Sequence, residues 1–155
     1  MPIRPATLAA LPVIVEIYNA AIPGRQATAD TEPVTVESRL EWFKAHDPAT
    51  RPLWVMETEG QILGWLSLSS FYGRPAYNAT VEVSLYVATA AQGLGVGRQL
   101  LQHALNAAPG LGVTTLLAFI FGHNQTSIKL FEGHGFRSWG LLPRVAQLDQ
   151  RECDL

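Results

Sequence analysis

The sequence has a single cysteine, Cys153, so no disulfide can form within the chain. That excludes the stapled design of small secreted domains and fits a reducing compartment such as the cytoplasm. Charge is sparse too: 15% of residues are Asp, Glu, Lys or Arg, and the net charge is −2 at pH 7. Binding a phosphate backbone needs a basic footprint, and the chain has no run of Lys and Arg, so general nucleic-acid binding is not indicated. No apolar run approaches the ~20 residues that span a bilayer, which argues against a membrane partner. Near the start, Pro5, Pro12 and Glu16 interrupt the apolar residues, unlike the continuous core of a signal peptide. His46, His103, His123 and His134 show no metal-ligand spacing, so no metal site is expected.

What is present suits one globular domain over residues 1–155. Some 48% of the residues are hydrophobic. A chain of this size buries about two-thirds of its unfolded surface and needs no metal or disulfide to fold. Along the chain, "LPVIVEIYNAAI" repeats apolar residues at helical spacing, with Pro12 in a tolerant first turn. "TVESRLEWFKAHDP" reads as a second helix capped by Thr35, with Leu40 and Phe43 facing inward. "LWVMETEGQILGWLSLSSF" reads as a hairpin turning at Glu59-Gly60, and "ATVEVSLYVA" as a buried strand. A helix bearing Leu100, Leu101, Ala104 and Leu105 follows, ending before Pro109. "VTTLLAFIF" is nearly continuous in apolar residues, which predicts a central strand covered on both faces. "NQTSIKLFEGHGF" predicts a short helix stopping at Gly133 or Gly135, and the last segment a strand or hairpin arm. The order implies an α/β fold with a mixed sheet and helices on both faces.

The most informative stretch is "AAQGLGVGRQLLQHAL", residues 90–105. Three glycines in five positions stand between a strand and a helix. Glycine sacrifices packing and backbone entropy, so something must approach this turn closely. The amides of Gln92, Gly93, Leu94, Gly95, Val96, Gly97 and Arg98, with the helix dipole, suit a phosphate or pyrophosphate. A P-loop needs Lys and Ser or Thr after the last glycine, but Arg98 and Gln99 follow. A dinucleotide fingerprint needs a third glycine where Arg98 stands. Both fail. A tight turn without a ligand remains open on the glycines alone.

The pattern Gln92-x-x-Gly95-x-Gly97 after a strand resembles the acetyl-coenzyme A pyrophosphate loop of the GNAT N-acetyltransferases. "IYNAAI", "TADTEP", "FYGRPAYNATVEVSLYV", "HNQTSIKLFEGHGF" and "WGLLP" narrow the resemblance to the phosphinothricin and methionine sulfoximine acetyltransferase-like branch. The resemblance covers essentially the whole chain. It implies a GNAT fold whose parallel strand pair splays into a cleft for acetyl-coenzyme A. Leu85, Tyr86 and Val87 would pair with the pantetheine arm through their backbone, and Asn124 and Ser127 would meet its amides. It also implies N-acetylation of a small amino-acid-like amine in a cytoplasmic enzyme, often a homodimer. Two departures stand out. Family members add a further strand where this chain reaches Leu155, so the last strand is expected to be cut short. Phe131 stands where many members carry a tyrosine beside the departing thiolate, and it has no proton to give.

Acetyl transfer to an amine needs a base, because an α-ammonium is mostly protonated at neutral pH, and general acid–base catalysis contributes ~10²–10⁴-fold. Glu82 is the candidate base. Burial in an apolar strand would raise its pKa, while a strand-edge carboxylate facing solvent is the alternative. Arg74, in the loop before this strand, suits a substrate carboxylate by its planar fork. Phe71 and Tyr77 line the same region or simply pack. Glu32 lies in the connection that covers the acceptor in this superfamily. Other small amines, protein N-termini, or a non-catalytic acyl-coenzyme A module are the rival readings.

Overall fold

A computed structural model describes residues 2–155. Its frame is a five-stranded sheet, ordered β1 (Ile3–Pro5), β2 (Leu53–Thr58), β3 (Gln61–Ser70), β4 (Thr80–Val87) and β5 (Thr115–Leu117). All neighbours are antiparallel except β4 and β5. The β2–β3 hairpin turns where expected. Glu59 and Gly60 both have positive φ, 50° and 76°, the twist that suits a two-residue hairpin loop.

Helices cover both faces. On one, α3 (Val96–Ala107) and α4 (Gln125–Glu132) pack on Trp54, Met56, Leu66, Leu68, Val81 and Val83. Leu100 and Leu101 are fully buried there, and truncating either to Ala would cost about 2–5 kcal/mol. On the other face, α1 (Leu11–Ala21) sets Ile14 and Ile17 against Leu53, Val55 and Trp65. The Trp65 indole donates to the Ile14 carbonyl at 3.1 Å, fixing α1 on the sheet. The second helix is shorter than its pattern suggests. A 3-10 turn, Glu37–Arg39, precedes α2 (Leu40–Lys44), and Thr35 accepts from the Ser38 amide as a cap.

The predicted central strand is a correction. β5 has three residues, lies at the end of the sheet, and pairs with β4 only from Thr80–Thr115 to Glu82–Leu117. Beyond that point the two parallel strands part. The apolar run continues without a strand partner, and Phe119 is half exposed while Phe121 is buried. Phe121 packs instead on Leu148 and Cys153 of a second, two-stranded sheet, β6 (Ala146–Leu148) and β7 (Arg151–Cys153). The last segment is therefore a hairpin. Leu155 exchanges two backbone hydrogen bonds with Leu142, and the Asp154 carbonyl accepts from the Gly122 amide.

Candidate active site

The separation of β4 from β5 creates the site. From Val83 to Val87 the strand pairs with β3 on one side only, which leaves an extended backbone edge facing a gap. The backbone edges of Leu85, Tyr86 and Val87 lie there. At the end of β4 the glycine turn begins. Gly93 and Gly95 adopt φ of 80° and 81°, a region that a side chain disfavours by ~1–2 kcal/mol. A Cβ at Gly93 would meet no atom within 4 Å, so the turn is open above. Gly95 is the N-cap of α3 and has no side chain to cap it. The first-turn amides of Val96, Gly97 and Arg98 therefore lack an intrahelical acceptor and face outward with the dipole. Gly97 has a different reason to be small. A Cβ there would stand 3.3 Å from Leu130 of α4 and 3.8 Å from Leu85 and Val87. The turn thus draws α3, α4 and β4 together. Gln92, Leu94 and Arg98 are exposed around it. A free strand edge followed by an open amide turn fits a ligand with an amide-bearing arm and a phosphate end.

Period two sets Glu82, Ser84 and Tyr86 on the opposite face from Val81 and Val83. Glu82 is half-buried, and burial raises its carboxyl pKa above the ordinary value. Among the described residues it makes no ion pair. Phe71, after β3, and Phe119, after β5, stack at 6.5 Å, and β4 with Glu82 runs between those strands. Tyr72 and Tyr77 complete this aromatic group. Arg74 is exposed in the same loop, and its carbonyl accepts from the Tyr77 amide.

Deeper on this face is a cavity of about 160 Å³, lined by Tyr18, Arg39, Trp42, Trp65, Ser84 and Tyr86, with Ile14, Val15 and Val34. Arg39 lies over the Tyr18 ring at 4.8 Å and pairs with Asp30 at 3.2 Å. Tyr86 stacks on Trp65 and donates to the Ala27 carbonyl at 2.9 Å. Burial pushes its phenol well above the usual tyrosine range, so it is a packed, engaged residue rather than a ready acid. Phe131 is likewise core, edge-on to Phe136 at 4.9 Å. Asn124 uses both ends of its amide: it accepts from the Ser127 amide and donates to the Gln26 carbonyl.

The structure therefore brings Glu82 and the Leu85–Val87 edge onto one strand at the gap, with the glycine turn at its end, while Phe71, Arg74 and Tyr77 lie in the loop that joins β3 to β4. Glu32 does not join them. It is exposed, and its charge acts on Arg25. Sequence reasoning missed Arg39, Trp42, Ser84 and Phe119, because their partners lie on other elements. Ser84 alone carried a signal, its shared face with Glu82. Among the described residues no cluster of three His, Cys, Asp or Glu suits a metal, and no helix is long and apolar enough to cross a membrane.

A mixed sheet splayed at its parallel pair, with an amide turn at the end of the splay, defines an acyl-coenzyme A-dependent acyltransferase. The acetyltransferase (GNAT) family model matches residues 14–136, and the chain belongs to that family. It uses acetyl-coenzyme A to acetylate an amine. The chain is 54% identical to Bacillus subtilis YwnH over all of its own length and 95% of the relative. It is 35% identical to the L-methionine sulfoximine/L-methionine sulfone acetyltransferase of Pseudomonas paraeruginosa, covering 99% of this chain and 90% of that one. The Sinorhizobium meliloti phosphinothricin acetyltransferase in complex with acetyl-coenzyme A superposes with a TM-score of 0.92 at 29% identity, covering 99% of this chain and 83% of that one.

Proposed function

We propose that the chain acetylates the α-amine of a small amino-acid-like acceptor of the phosphinothricin or methionine sulfoximine kind. The observation that carries this reading is the cavity beside Ser84 and Tyr86, on the face that bears Glu82 and next to the splayed strand edge. At about 160 Å³ it suits a small side chain and not a folded partner. The names of the relatives supply the acceptor class.

When bound, the coenzyme supplies a thioester-activated acetyl group. The chain's residues do the rest. The free edge of β4 orients the pantetheine arm, and the amides of Gly93 to Arg98 hold the phosphates. Glu82, with its raised pKa, removes a proton from the acceptor ammonium directly or through water, leaving a lone pair for direct attack. The aromatic group of Phe71, Tyr77 and Phe119 keeps bulk water from that carboxyl. Arg74 takes the acceptor's carboxylate. Asn124 and Ser127 hold the start of α4 beside the arm. Phe131 has no proton to give a departing thiolate, so the general acid would be water or another residue at the cleft.

Trp139, Leu141, Leu142 and Val145 are exposed in a row before the terminal hairpin, and this apolar surface supports a homodimer. The unpaired, buried Cys153 is consistent with work in the cytoplasm.

The test is thiol release from acetyl-coenzyme A against phosphinothricin, methionine sulfoximine, methionine sulfone, common amino acids, polyamines and short peptides. Turnover with the first three supports the reading. Turnover only with peptides or polyamines replaces the acceptor class. Coenzyme binding with no turnover on any amine identifies a binding module instead.

A further inference from the structure

The connection between α1 and α2 crosses the gap in the sheet. Three consecutive carbonyls, those of Arg25, Gln26 and Ala27, are each gripped by a side chain. His123 Nε2 lies 2.7 Å from the Arg25 oxygen. Asn124 Nδ2 donates to the Gln26 oxygen at 3.0 Å. The Tyr86 hydroxyl donates to the Ala27 oxygen at 2.9 Å. The donors stand on opposite walls of the splay. Tyr86 is on β4, while His123 and Asn124 open α4. Further along, Thr28 bonds the Tyr18 hydroxyl and Asp30 pairs with Arg39, both at the cavity. Residues 25–30 thus form a strap tied to both walls of the coenzyme cleft at one end and to the acceptor cavity at the other.

A carbonyl only accepts, so the proton of the His123 ring sits on Nε2. The ring is fixed for this by its stack on Phe121, 5.4 Å away and 11° from parallel. We propose that His123 is a positioning residue for the acceptor: it anchors the strap to the α4 wall, and so shapes the cavity from outside it. This rests on the acetyl-transfer reading above. The hold lies on the strap and away from the glycine turn, so its larger effect falls on the acceptor.

The experiment compares wild type with His123→Phe, which keeps a ring against Phe121 but has no donor, and with His123→Gln, whose amide nitrogen replaces Nε2. Wild-type turnover on the acceptor panel is measured first, and failure there overturns the proposed acetyl transfer before the strap is tested. For an accepted amine, His123→Phe is expected to raise the acceptor KM about tenfold, the worth of one hydrogen bond. The acetyl-coenzyme A Kd should stay within about twofold, and His123→Gln should restore the acceptor KM. Tyr86→Phe, which frees the strap from the other wall, should raise the same KM. An unchanged acceptor KM in His123→Phe overturns the proposal. So does an equal loss of coenzyme affinity, or a Gln variant no better than Phe.

Discussion

Ser69 stands directly opposite Glu82 in the antiparallel pairing of β3 and β4, and its hydroxyl lies 3.4 Å from Nε2 of His46. Burial lowers the His46 pKa, against the smaller opposing effect of the Nδ1 bond to the Trp42 carbonyl. Around Glu82 itself, desolvation by burial is the influence that raises the carboxyl pKa.

This fixes two signs for Glu82→Gln. A base must be ionised, so kcat/KM should rise with pH through the raised Glu82 pKa in the wild type. The variant should lose that limb and about 10²-fold or more of kcat at neutral pH, with coenzyme affinity retained. Stability should move the other way. A carboxyl whose folded pKa exceeds its unfolded value loses stability as pH rises through that window. Gln removes the loss, so the variant's Tm should exceed wild type at neutral pH and converge with it in acid. A pH–rate profile matching wild type would remove Glu82 as base.

Gly95→Val places a β-branched residue at φ of 81° in the helix N-cap. Acetyl-coenzyme A affinity should fall at least about tenfold by calorimetry while the far-ultraviolet spectrum keeps its native shape. Gly97→Ala is milder, because its Cβ meets the end of the Leu130 side chain at 3.3 Å, a group that can turn aside.

Ser67 Oγ is buried without a hydrogen-bond partner among the described residues. A hydroxyl left so costs about 1–3 kcal/mol, so Ser67→Ala should leave thermal stability equal or raise Tm by a few degrees. A clear drop in Tm would show that the hydroxyl bonds a fixed water.

Arg74→Gln should raise the acceptor KM by roughly 10–100-fold, the worth of a charged hydrogen bond, while the coenzyme Kd stays put. The effect should vanish for an acceptor whose carboxylate is replaced by an amide. Equal loss on both acceptors would rule out carboxylate recognition.

Light scattering should give twice the monomer mass, and Trp139→Ser with Leu141→Ser should shift it to monomer without lowering helix content. A monomer at every concentration in the wild type would refute the dimer.

The elements that organise the site were legible where a signal is local. The glycine turn, the buried strand before it and the Glu59-Gly60 hairpin each depend on neighbours within a few residues. The apolar run at 113–121 misled, because hydrophobicity records burial and not its source. Leu116 is covered by the sheet core, but Phe121 by the terminal hairpin. Arg39, His46 and His123 were silent for a related reason. Their partners Asp30, Ser69 and Arg25 lie on other elements, and only the folded chain sets those distances.

The open edge of β4 has one further meaning. Its groups are peptide groups, the same at every residue, and its mouth is flanked by α4 and bridged by the strap. A pantetheine arm presents amides in the rhythm of a peptide and has no side chains. In the proposed binding mode the coenzyme takes the place of a missing sixth strand and is recognised through the main chain. Residues 85 to 87 can then exchange one apolar side chain for another without altering what is bound, provided the chain stays extended. Over evolutionary time, this part of the site should keep its shape while its letters drift.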